Sequence, residues 1–248
     1  ATSPGDGQMI APYLRRGLAA GLLAGLLAGL FAFFVGEPLL DRAIALEESA
    51  HSHGNHERGG GGEVFGRMTQ KVGLFFATGL SGTFLGGIFG MVFAFFRGRM
   101  EHGSDWGRSV SLAAAIFAGF VLIPFLKYPA NPPTVGDPET IGIRTAAYFA
   151  LVGLSLLAVL AAWFAARLLR SRGVGPPARQ ISVGLGFVIF VSVLLTTFPA
   201  SADPGDFPAG LLWDFRLSSL GTQVVLWTAL GVIFGLLCER ANGKRAPL

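Results

Sequence analysis

The stretch GLAAGLLAGLLAGLFAFFV, residues 17–35, contains no Asp, Glu, Lys, Arg or His. About 20 apolar residues carry an α-helix across the roughly 30 Å of hydrocarbon in a bilayer, so this stretch reads as a membrane span. Five further blocks of the same kind follow, at 72–96, 109–125, 145–164, 181–198 and 217–238, and none holds an ionisable Asp, Glu, Lys, Arg or His. The composition agrees: 52% of the residues are hydrophobic, 14% are charged, and the mean hydropathy is +0.57. A soluble domain needs more polar surface than that. The predicted fold is all-α, a polytopic bundle of six transmembrane helices. A polar segment, 1–16, precedes the membrane domain 17–238, and a basic tail, 239–248, follows it. The first apolar block is too long for a cleaved signal and no cleavage site follows it, and the polar start leaves open a natural beginning at Met9.

Orientation is read from the basic residues, which are enriched in cytoplasmic loops. Of the 19 Lys and Arg, 12 fall on the side of the amino terminus: Arg15, Arg16, Arg97, Arg99, Arg108, Arg167, Arg170, Arg172, Arg179, Arg240, Lys244 and Arg245. Seven fall opposite, and 11 of the 15 acidic residues are on that opposite side. Both termini are therefore expected in the cytoplasm. The outer loops are 36–71, 126–144 and 199–216. The net charge of +4 is spread in short clusters beside apolar blocks, so no basic face is left for nucleic acid. A four-glycine run at 59–62 reads as a flexible linker within the first outer loop. The single cysteine, Cys238, lies at the end of the last block and has no internal disulfide partner.

Within the membrane, Gly17, Gly21, Gly25 and Gly29 recur every fourth residue, and Gly82, Gly86 and Gly90 repeat the pattern. Such spacing places a smooth stripe on one helix face, suited to a tight helix pair or to homo-oligomer formation. A path lined by glycine carbonyls is the competing reading. No phosphate-binding glycine loop with Lys and Ser or Thr is present, and no nucleophile–base pair lies in a block, so no enzymatic role and no tightly bound cofactor are expected.

The chemistry concentrates in the first outer loop, EPLLDRAIALEESAHSHGNH, residues 37–56. Glu37 followed by Pro38 suits a helix start. At helical spacing Glu37, Asp41, Glu48 and His51 share one sector, and His53 and His56 follow closely. Three of the four histidines thus sit within six residues, with Glu47, Glu48 and Glu57 nearby. Imidazole and carboxylate together suit an exchangeable divalent ion, and this spacing leaves Co2+, Ni2+ and Zn2+ all open. The bland reading is a solvated polar loop. A weaker candidate set, Asn131, Asp137 and Glu139, lies in LKYPANPPTVGDPETIGIR, whose prolines enforce a rigid turn. The third outer loop offers Asp203, Asp206, Asp214 and Arg216, with Trp213 suited to the interface.

The segments FVGEPLLDRAIALEE, before the histidine cluster, and LIPFLKYPANPPTVGDPETI, after the third block, resemble the predicted cobalt-transporter subunit family CbtA, and the resemblance runs over nearly the whole chain from Met9. Glu37, Asp41, Glu48, Lys127, Asn131 and Pro132 fall on its motif positions. The resemblance implies a bacterial inner-membrane protein that takes up cobalt, is associated with cobalamin metabolism, and acts with a small histidine-containing membrane partner, CbtB. The function expected on these grounds is a divalent-metal uptake subunit whose acidic and histidine-rich outer loops capture the ion. The alternative is a non-transporting assembly subunit of a larger membrane complex.

Overall fold

The computed structural model describes residues 6–52, 67–100, 103–132, 135, 138–201 and 203–243. Among these every regular element is helical: α1 (Asp6–Phe31), α2 (Glu37–Ser52), α3 (Arg67–Phe96), α4 (Asp105–Phe117), α5 (Ile123–Lys127), α6 (Ile141–Ser171), α7 (Pro176–Thr197) and α8 (Ala209–Gly243), with short π or 3-10 turns between some of them. Six stretches are long and apolar enough to cross a membrane, namely Ile10–Leu46, Lys71–Arg99, Asp105–Lys127, Ile141–Ser171, Pro176–Thr197 and Ala209–Asn242. They carry the six apolar blocks and overrun most of them at both ends.

The chain divides into two compact units, one of residues 1–114 and 217–248, the other of residues 115–216. In the first, the two glycine stripes meet. A Cβ placed on Gly21 would lie 2.8 Å from the Cα of Gly86, and one on Gly82 would lie 2.6 Å from the Cα of Gly25. Gly17 meets the backbone of Gly86 and Gly90 in the same way. The register runs in opposite directions along the two chains, so α1 and α3 pack antiparallel with their backbones in contact. Small side chains permit that approach, and dispersion between the two backbones rewards it where water supplies no driving force. The stripes that would serve self-association are thereby covered within one chain. Ala20, Ala24 and Ala28 on α1 are buried beside them.

Phe234 of α8 inserts against Phe89 and Phe93 of α3 with ring centroids 5.2 and 4.9 Å apart, both edge-on, and all three rings are buried. Edge-to-face pairing is the favoured geometry of the ring quadrupoles. Gly231 and Gly235 let α8 lie close on α4: a Cβ on Gly231 would be 2.7 Å from that of Ala113, and one on Gly235 2.9 Å from the Cα of Trp106. Ser109 of α4 donates to the carbonyl of Gly231 at 2.7 Å.

In the second unit α6 packs on α7 and on the π turn Ala118–Leu122. Gly119 lies against Leu156 and Val159 of α6.

One local device occurs in both units. Residues 31–40, FAFFVGEPLL, and 117–126, FAGFVLIPFL, agree at six places in ten. Each contains a π turn, Ala32–Gly36 in one and Ala118–Leu122 in the other. The amide closing each turn, from Glu37 or Ile123, reaches back five residues to Ala32 or Ala118. A proline follows in both cases, Pro38 and Pro124. Proline has no amide hydrogen, so the carbonyls of Phe33 and Gly119 each lose both of the helix donors within reach.

Candidate functional site

Helix α2 continues α1 through the π turn, so residues 6–52 form one uninterrupted helical rod. The 16 residues of α2 extend about 24 Å at 1.5 Å per residue, beyond the end of the apolar block at Val35. Helix α2 begins with Glu37 and Pro38 and carries Asp41, Glu48 and His51 at spacings of four, seven and three residues along its backbone. The helix expected to start at Glu37 and Pro38 is present, as a continuation of α1, and helical spacing applies as far as Ser52.

Asp41 accepts from Lys71, at the start of α3, at 3.4 Å; both side chains are partly exposed. That ion pair ties the base of the acidic helix to the next span. It also places a positive charge beside one predicted ligand. The positions of the Glu48 and His51 side chains, and all of His53, His56 and Asp137, lie outside the described residues. Among the described residues no three His, Cys, Asp or Glu side chains converge.

In the second candidate set, Asn131 is engaged elsewhere. Its Oδ1 accepts from Arg216 twice, from Nη2 at 2.8 Å and Nε at 3.2 Å. A guanidinium only donates, so the one atom of Asn131 suited to a cation is turned to a positive charge. Glu139 is exposed in the 3-10 turn Pro138–Thr140 ahead of α6. Tyr128, just past α5, donates to the carbonyl of Pro199 at 2.9 Å, and burial raises its phenol above the usual range. Arg216 and Tyr128 thus hold the proline-rich turn.

A polar centre that sequence reasoning missed sits at the other end of the first unit. Asp105 is buried, with only 2% of its surface exposed. It accepts from Arg97 Nε and Nη2 at 2.7 and 2.8 Å, from Arg108 Nη1 at 3.0 Å and from Asn242 at 2.8 Å. The bidentate pairing matches the guanidinium fork to the carboxylate. Arg97 and Arg16 lie 5.8 and 5.5 Å from the centre of the Tyr13 ring, and Arg16 points its Nη1 at the sulfur of buried Cys238, 3.9 Å away. Glu239 accepts from the amide of Trp106 at 3.1 Å, and Ser104 caps α4 through the amide of Gly107. Side chains from α1, α3, α4 and α8 are locked together here. In the sequence Arg97 and Arg108 read as orientation signals. The available clue was Asp105, one of two acids in a basic connecting segment, set between Arg97 and Arg108.

Six helices long and apolar enough to cross a bilayer, counted among the described residues, define a polytopic α-helical membrane protein. The family model of CbtA, described as a probable cobalt transporter subunit, matches residues 10–239, nearly the whole length, and the chain belongs to that family. Neither curated proteins nor solved structures yield a match. Membership makes this a membrane protein of ion transport, with a transporter-subunit role and not a catalytic one.

Proposed function

We propose that the chain is the cobalt-capturing membrane subunit of an uptake system in the bacterial inner membrane, working with a small histidine-containing partner. The observation that carries this reading is the acidic, histidine-bearing helix α2, which continues α1 past the end of the apolar block at Val35. Glu37, Asp41, Glu48 and His51 line its turns, with His53 and His56 next in sequence. Carboxylates and imidazoles gather a divalent ion while holding it loosely enough to release. Six crossings return the chain to its starting side, and the excess of basic residues there favours the cytoplasm for both termini. Glycine-lined helix pairing supplies a stiff frame, whereas the spans themselves carry no acid in their apolar blocks. The ion therefore needs ligands from the partner or from freed backbone carbonyls on its way through.

The test is uptake of radiolabelled cobalt by cells producing the chain with and without its candidate partner. Combined His51→Ala, His53→Ala and His56→Ala is expected to abolish uptake while leaving the protein folded in the membrane. Full uptake by the triple variant would remove α2 and its extension as the capture element. No uptake by the wild type under any pairing would favour the assembly-subunit reading.

A further inference from the structure

The two π turns differ in how their freed carbonyls are met. In the second unit the hydroxyl of Ser155 donates to Gly119. In the first unit the freed carbonyl is that of Phe33, and among the described residues no side chain donates to it. A serine nevertheless stands beside it, Ser218 on α8, in the same compact unit. A Cβ on Gly36 would lie 3.3 Å from the Ser218 Oγ. On a helix the side chain of residue i+3 stems from beside the carbonyl of residue i, which is how Thr78 reaches the carbonyl of Phe75. Gly36 stands in that relation to Phe33, so Ser218 brings its hydroxyl in from another helix to the place a side chain at 36 would take. Ser218 is only 7% exposed, and its hydroxyl has no hydrogen-bond partner among the described residues.

The surroundings are apolar. The Phe33 ring packs on Phe75 with centroids 5.6 Å apart, and the Phe31 ring lies against Gly221, three residues along α8 from Ser218. A carbonyl and a hydroxyl kept without partners among such rings cost free energy unless a ligand meets them. Both oxygens offer lone pairs. Carbonyls freed at a break in a membrane helix are suited to coordinating a cation. Glu37, whose amide closes the turn, is rooted at i+4 from Phe33 on the same face.

We propose that the Phe33 carbonyl and the Ser218 hydroxyl form a coordination site for a divalent cation, the next station inward from α2; as a place on the transport route it rests on the uptake reading above. The full chain carrying His51→Ala, His53→Ala and His56→Ala is purified in detergent as the parent, so that the imidazoles of the arm take no part. Co2+ is titrated into the parent and into its Ser218→Ala and Ser218→Cys versions, read by equilibrium dialysis and near-ultraviolet absorption. Ser218→Ala is expected to weaken cobalt binding about tenfold. Ser218→Cys is expected to give a thiolate-to-cobalt charge-transfer band that the parent, whose Cys238 is 0% exposed, lacks. If Ser218→Ala fails to fold, the Ser218→Cys spectrum decides. No cobalt bound by the parent, an unchanged affinity in Ser218→Ala, or no band in Ser218→Cys overturns the proposal and leaves the two oxygens to a bridging water. A band in Ser218→Cys together with no cobalt uptake by wild-type cells supports the site and removes the uptake reading alone.

Discussion

The hydroxyl of Ser155 on α6 donates to the carbonyl of Gly119, inside the π turn that precedes α5. Pro124 creates the need for it. Gly119 would accept from Ile123 in an α-helix, but that amide is bound to Ala118, and the next residue has no amide hydrogen. A bare carbonyl is costly in an apolar interior, and both serine and glycine here are buried. Ser155→Ala is expected to destabilise the protein by about 1–2 kcal/mol. In a Pro124→Ala background the restored amide can serve the carbonyl, so the same change should cost less. A double-mutant cycle read by thermal unfolding in detergent checks this, and strict additivity would refute the link between the two residues.

Asp105 is the acid on which Arg97, Arg108 and Asn242 converge. Removing it strands two guanidinium groups, of which Arg108 is 20% and Arg97 36% exposed. Asp105→Ala is therefore expected to cost about 2–4 kcal/mol, somewhat below a fully buried pair broken on one side. Adding Arg97→Gln should recover part of the loss. Unfolding midpoints of the two single variants and the double variant decide it.

Gly21→Leu and Gly86→Leu force α1 and α3 apart, because the atoms met first are backbone and cannot rotate away. Each is expected to cost about 3 kcal/mol or more, or to prevent folding. Gly184→Leu on α7, where nothing lies within 4 Å of the added Cβ, should be tolerated. Thermal stability by size-exclusion chromatography separates the cases, and equal losses at Gly21 and Gly184 would contradict the packing described.

Tyr128 is held above the usual phenol range by burial, so its proton is bound more tightly in the folded chain than in the unfolded one. The stability contribution is then complete below about pH 10, where the unfolded phenol titrates, and is lost as pH rises through the folded value. The stability difference between wild type and Tyr128→Phe should be flat from pH 6 to 9 and shrink above 10. A difference that grows on alkalinisation would run against the assigned donor role.

The spans were legible because the bilayer demands long uncharged blocks, a signal that survives any detail of packing. Glycine spacing announced close helix contact, but a stripe does not name its partner; only the matching register of Gly17–Gly29 with Thr78–Gly90 shows that the two stripes serve each other. Arg97 and Arg108 were legible as charge and not as ligands of Asp105, since an orientation signal and an ion-pair partner look alike in one dimension. Asn131 read as an oxygen donor, and Arg216, 85 positions later, claims that oxygen. Pro124 within an apolar block was the one readable sign that some hydroxyl must approach its helix.

Because α2 and α1 are one rod, the chain's acidic arm cannot swing as a tethered loop does. A bend of about 10° at the π turn Ala32–Gly36 sweeps Ser52 sideways by about 4 Å, on an arm of about 24 Å. Asp41 lies only about 7.5 Å past the pivot, so the same bend moves it by about 1.3 Å, and its ion pair with Lys71 can persist while the far end travels. The helix is built like a lever with its latch near the fulcrum, so a small bend at the π turn is delivered, enlarged, to the last turn of α2.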